Sequence, residues 1–188
     1  MKRYLITALL AAAIAFAGCA KESSLPNPTG EGSLRAINSI PGSPAFSFLI
    51  EERLIEPVGY KTSSASSTWD DLAYTFNFEV LLAGETEATR VASQFIDVIA
   101  DTDYTMLISG ALEAPDITLW ETAFREWTGD ETVYEIRFAN ASPSIGEIDV
   151  YLLDPGTVPA AGTEIGTLSP IGITPAQDFE SAEKIIVF

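Results

Sequence analysis

The chain has 188 residues, 10 of them basic and 27 acidic, with no histidine, one cysteine and a net charge of −17. Such a balance repels nucleic acid and anionic headgroups, and no basic patch or basic amphipathic helix opposes it, so no nucleic-acid partner is expected. Without histidine, Ser-His-Asp catalysis and imidazole zinc sites are excluded. Apolar and aromatic contents of 47% and 10% are too high for a disordered chain and suit one ordinary domain or two small ones.

The N-terminus opens with Lys2 and Arg3, continues with an apolar run from Tyr4 to Phe16 broken only by Thr7, and ends on the small residues Ala17 and Gly18. This is the layout of a secretory signal, too short to span a bilayer. Phe16-Ala17-Gly18-Cys19 resembles the bacterial lipobox. The resemblance implies cleavage before Cys19, a diacylglycerol on its thiol and an acylated, palmitate-bearing N-terminus, which makes the membrane a partner through lipid on Cys19. Each buried methylene contributes about 0.8 kcal/mol, so several acyl chains hold a protein without a spanning helix. With its only thiol so used, the chain has neither a cysteine nucleophile nor a disulfide, and stability has to come from core burial. Loss of Lys2 and Arg3 leaves 8 basic residues against 27 acidic ones, a mature net charge of −19. Ala20 after the anchor, by analogy with bacterial sorting rules, permits transfer to an outer membrane. The expected address is therefore the cell envelope, lipid-anchored at the outer membrane.

Residues 19–33 read as the lipid anchor and a flexible tether, because Pro26 and Pro28 block a helix and Gly30 and Gly32 add freedom. At about 3.3 Å per residue, the stretch after the anchor reaches on the order of 45 Å. From Leu34 the pattern becomes strand, turn, strand. Leu34–Ser39 and Ala45–Ile50 flank Pro41-Gly42-Ser43-Pro44, a turn sequence. Tyr74, Phe76, Phe78, Val80 and Leu82 alternate with polar residues, which puts all five on one face of a strand. Val91–Ala100 and Tyr104–Ser109 read as strands joined by Asp101-Thr102-Asp103, a sequence suited to a tight hairpin. Ile117–Trp120 adds a strand, and Glu121–Trp127 fits either one helical turn or a loop. Beyond Gly129-Asp130, strands are expected over Val133–Ala139 and Glu147–Leu153, with weaker runs near Ile165 and Ile171. A last strand, at or near a sheet edge, is expected over Lys184–Phe188.

A repeat organises these elements. Arg35-Ala-Ile-Asn38-Ser-Ile-Pro41 returns as Arg137-Phe-Ala-Asn140-Ala-Ser-Pro143, and each copy is followed by an alternating run, Ala45–Leu49 and Ile148–Leu152. Two related β units in tandem are implied. In each, the proline stops the ladder and the asparagine can bond backbone in the turn. The arginine either faces out or pairs with a carboxylate; alternatively, Arg35 and Arg137 bind an anionic ligand. Phe179–Phe188 lines up with Trp69–Phe78, so the second unit is expected to be incomplete, or to borrow an edge from the first or from another molecule.

Ile136–Pro143 followed by Ile148–Leu152, together with Ala100–Gly110, resembles the bacterial envelope domain of unknown function 4397. The resemblance covers most of the mature chain. It implies immunoglobulin-like sandwiches, often in tandem on secreted or lipid-anchored proteins, and it carries no catalytic residues.

Weaker signals read as structure. Ser181-Ala-Glu-Lys184 has the spacing of serine–lysine acylases and Lys61-Thr-Ser63 resembles their second motif, but the order is reversed and Lys184 leads into a β run, not out of a buried helix. Asp70-Asp71 and Asp101 with Asp103 lack EF-hand spacing and suit strand ends. The aromatic face of Tyr74, Phe76 and Phe78, with Trp69, Trp120 and Trp127 elsewhere, is assigned to core packing, not to a sugar platform.

The expected architecture is all-β, an immunoglobulin-like antiparallel β-sandwich with a second, incomplete β unit. Its segments are signal peptide 1–18, anchor and tether 19–33, sandwich 34–120, linker 121–132 and partial second repeat 133–188. The expected role is a non-catalytic, lipid-anchored envelope module that binds or spaces, with an envelope protein or glycan as partner and with no metal and no cofactor. The alternatives are a carbohydrate- or calcium-binding adhesion module and, after it, a hydrolase using a carboxylate pair.

Overall fold

The computed structural model describes residues 26–130, 132–160, 164–180 and 184–188. The signal, Cys19, the start of the tether and Ser181 of the Ser181–Lys184 motif lie outside the described residues. Within them every regular element is a strand. The first unit contains β1 (Glu31–Asn38), β2 (Phe46–Ile50), β3 (Arg53–Val58), β4 (Ser67–Asp70), β5 (Ala73–Val80), β6 (Thr89–Asp97), β7 (Thr102–Ala111) and β8 (Ala114–Ala123). The second contains β9 (Val133–Ile136), β10 (Ile148–Leu153), β11 (Gly166–Leu168), β12 (Gln177–Glu180) and β13 (Ile185–Val187).

Two four-stranded sheets, ordered β4-β1-β7-β8 and β3-β2-β5-β6, face each other in the first unit. Period-two alternation drives the closure. Leu34 and Ala36 of β1, Phe46, Phe48 and Ile50 of β2, Phe76, Phe78 and Val80 of β5, and Tyr104, Met106 and Ile108 of β7 all point inward and are buried in one cluster. Phe48 stacks on Phe78 with ring centroids 5.3 Å apart. The aromatic face read from the sequence is therefore core. All ladders between named strands are antiparallel except β1 with β7, which runs parallel from Ser33↔Asp103 to Asn38↔Ile108.

The second unit repeats the first five strands of the first, β9 to β13 standing for β1 to β5, and among the described residues has no counterpart of β6, β7 or β8. β9 pairs with β12 as β1 pairs with β4, with Ile136↔Gln177 taking the place of Leu34↔Ser67. β10 pairs with β13 as β2 pairs with β5, with Leu152↔Ile186 taking the place of Ile50↔Phe76. β13 lies at the edge of the sheet β11-β10-β13, where the sequence placed a terminal edge strand.

The repeated asparagine explains why the copies agree. Asn38 is buried; its Oδ1 accepts from the Ile40 amide at 3.0 Å and its Nδ2 donates to the Val58 carbonyl at 3.2 Å. Asn140, also buried, accepts from the Ser142 amide at 3.1 Å and donates to the Gly146 carbonyl at 3.4 Å. Each side chain closes a turn from within and satisfies backbone groups that a strand's end would leave unpaired.

Three features depart from the sequence reading. Asp101-Thr102-Asp103 does not close a hairpin, because β6 and β7 belong to different sheets. The segment is a corner between sheets: Asp101 adopts φ 57° and its amide donates to the Glu31 carbonyl at 2.9 Å. The tight hairpin forms one strand later, where Ala111 pairs with Ala114. Finally, β8 continues to Ala123 and β1 begins at Glu31, so strand structure extends past both ends of the 34–120 span.

Candidate functional site

The side chains of β1 and β7 that point away from the sandwich core are the odd-numbered ones, Ser33, Arg35 and Ile37 on β1 and Asp103 and Thr105 on β7. By register, Trp120 and Thr122 of β8 share that face with Thr105 and Asp103. Such a face is ordinarily solvated. Here the second unit leans on it: Trp120 is only 8% exposed, and its indole Nε1 donates to the Ile171 carbonyl at 3.2 Å. Ile171 holds φ 56°, a conformation that is strained for a β-branched residue. Its counterpart in the first unit is Lys61 at φ 62°. The strained turn is thus part of the repeat, and in the second unit it presents a carbonyl to the first.

Between the units lies a cleft of about 410 Å³, within the size range of small-molecule sites. Its floor comes from β1, β7 and β8, and its wall from Glu135, Arg137, Ala139 and Ile173. Both repeat arginines line it. Their neighbours differ. Arg137 donates from Nε and Nη2 to Glu135 Oε1 at 3.3 and 3.2 Å, and from Nη1 to the Thr122 hydroxyl. Glu135 also pairs with Arg125 at 3.5 Å, and Arg125 in turn holds Asp178. The Asp178 hydrogen bond raises the Arg125 pKa and keeps the guanidinium charged. Arg35, by contrast, donates from Nε to Thr105 Oγ1 at 3.0 Å and, among the described residues, forms no ion pair. Arg35 itself lines the cleft. Asp103 accepts the Ser33 hydroxyl through Oδ1.

Of the other sequence candidates, Asp101 and Asp103 both line a second, more open pocket beside the sheet-switching corner, together with Glu31 and Phe124, and Asp103 lines the cleft as well. Asp71 accepts the Thr29 amide at 2.6 Å and the Thr29 hydroxyl, and these bonds lower its pKa. They tie residue 29 of the tether to the sandwich. Among the described residues, no group of three or more acidic or cysteine side chains is arranged to hold a metal ion. Lys184 donates to Asp154, an ordinary surface pair. Trp69 packs edge-on against Tyr74 with centroids 5.4 Å apart, and Arg125 lies 4.1 Å over the Trp127 ring. Tyr74, Phe76 and Phe78 form no exposed row, since Phe76 and Phe78 are buried.

Sequence reasoning named Arg35 and Arg137 but not their convergence. The partners Thr105 and Thr122 were missed, because strand pairing and the packing of the two units bring them to the arginines, whereas Glu135 lies two residues from Arg137 and was within reach of period-two reading. The usable signal was the outward parity of position 35 combined with the repeat.

The layout defines a tandem β-sandwich protein with a cleft of mixed polar and apolar lining at the junction of its units. The family model described as Domain of unknown function (DUF4397) matches residues 32–151, from β1 to the middle of β10. The chain belongs to that family. A search of curated proteins found no match.

Proposed function

We propose that the chain is a non-catalytic, lipid-anchored protein of the cell envelope, held by acylated Cys19 at an outer membrane, whose two β units form a binding module for an envelope protein or a glycan. The observation that carries the binding part is the cleft between the units, lined by a mixture of polar and apolar side chains and built from both copies of the repeat. Its carboxylates support a binding role over hydrolysis. Glu135 is held in ion pairs by Arg137 and Arg125, so the cleft does not present Asp103 with a second free carboxylate to work with. Anchoring is supported by Lys2-Arg3, the apolar run and Phe16–Cys19.

Two measurements test the proposal. Cells fed a labelled fatty acid should incorporate it into the wild-type chain and not into Cys19→Ser, which should leave the membrane fraction. Label retained by the variant would refute the anchor. Immobilised chain should capture an envelope protein or glycan, and closing the cleft with Ala139→Trp should abolish capture; capture undiminished by that change would remove the cleft from the account.

A further inference from the structure

The cleft holds two cations and two anions, but they are not equivalent. Arg137 is consumed by Glu135 and Thr122. Arg35 sits at the same place in the repeat, on an exposed position of β1, yet among the described residues only its Nε is used, by Thr105. In a chain with 27 acidic residues, a guanidinium that lines a cleft without a carboxylate partner among the described residues is a vacant cationic fork. Its planar terminal nitrogens match a carboxylate in bidentate geometry. Around it stand groups that recognise hydroxyls: Asp103, whose Oδ2 makes no hydrogen bond among the described residues, with Thr105, Thr122 and Ser33. A dianion such as phosphate would meet Asp103 and Glu135 in the same cleft with twice the repulsion of a monoanion. The volume of about 410 Å³ is that of a small-molecule site.

Resting on the reading of this cleft as a binding site, we propose that it takes a small hydroxylated monocarboxylate, the chemistry of a uronic-acid sugar, with the carboxylate on the terminal nitrogens of Arg35 and the hydroxyls on Asp103, Thr105 and Thr122. Arg137 positions the wall through Glu135 and Thr122. Selectivity follows from the pairing: a neutral sugar leaves the fork empty, and a bare carboxylate leaves Asp103 without its hydroxyl.

The test titrates the purified full chain at low salt with glucuronate, galacturonate, glucose, acetate and inorganic phosphate. Calorimetry and the indole N–H signal of Trp120, which lines the cleft, give the readout. At least one uronate should bind, shift Trp120 and leave Trp69 unmoved. Arg35→Gln should weaken that binding about tenfold or more, Arg35→Lys should recover part of it because charge remains without the fork, and Arg53→Gln, outside the cleft, should change nothing. Stronger binding of phosphate than of either uronate would overturn the proposal, as would undiminished binding by Arg35→Gln with its fold intact. Glucose shifting Trp120 as strongly as the uronates would overturn the carboxylate while leaving the cleft a binding site. Silence of Trp120 toward all five, with capture of an envelope partner also absent, would end both readings.

Discussion

The two β units share a turn, a register and a repeated asparagine, yet the first buries fifteen apolar residues in its cluster and the second, among the described residues, buries Phe138, Val150 and Leu168. The difference lies in the neighbours of each strand. β1 is paired on both edges, by β4 and β7, and β5 by β2 and β6. Their counterparts β9 and β13 each have one partner among the described strands. Local grammar is therefore separable from the energy of closure. A turn closed by Asn38 or Asn140 sets the register whether or not a second layer covers the strand, while stability comes from strands distant in sequence.

Substitution should expose this contrast. The largest effect is expected from Phe48→Ala, which empties the stacked centre of the first cluster and should cost about 3–5 kcal/mol in denaturant unfolding. Leu168→Ala in the smaller cluster should cost about 2 kcal/mol, at the low end for such a truncation, because less surrounds it; an equal loss would erase the distinction between the units. Next come the turns. Asn38→Ala strands a buried carbonyl and an amide and should cost about 1–3 kcal/mol. Asn140→Ala should cost about 1 kcal/mol or less, since its donor bond is already long at 3.4 Å.

The smallest effect concerns Asp71. Its pKa is lowered from 3.8 chiefly by the Thr29 hydroxyl and amide, so the ionised form is the one that holds the tether residue. That contribution is present above the ordinary carboxylate value and is lost as pH falls through the depressed one. Exchange protection of the Thr29 amide should decline only below about pH 3.8, and Asp71→Asn should remove this dependence.

Much of the architecture was legible in single strands. Alternation from Tyr74 to Leu82 fixed a core face, and the Arg, Asn and Pro spacing revealed the tandem units. What was not legible depends on pairing between remote segments. Asp101–Asp103 has hairpin composition, but Tyr104, Met106 and Ile108 find their inward positions beside β1, so the chain changes sheets there. β8 passes through Glu121–Ala123 because β7 offers a partner at each residue, although the local sequence prefers nothing. Likewise, position 35 can be read as outward from parity alone, but that Arg35 and Arg137 meet in one cleft follows from how the units pack, through Trp120 and the strained Ile171.

Hydrogen exchange along the full folded chain tests the central contrast most directly. Amides of β2, β5 and β7 should be the most protected, those of β9, β10 and β13 should exchange orders of magnitude faster, and the Trp120 indole N–H should be protected by the Ile171 carbonyl. Uniform protection across both units, or a Trp120 indole that exchanges as freely as one in water, would contradict the account.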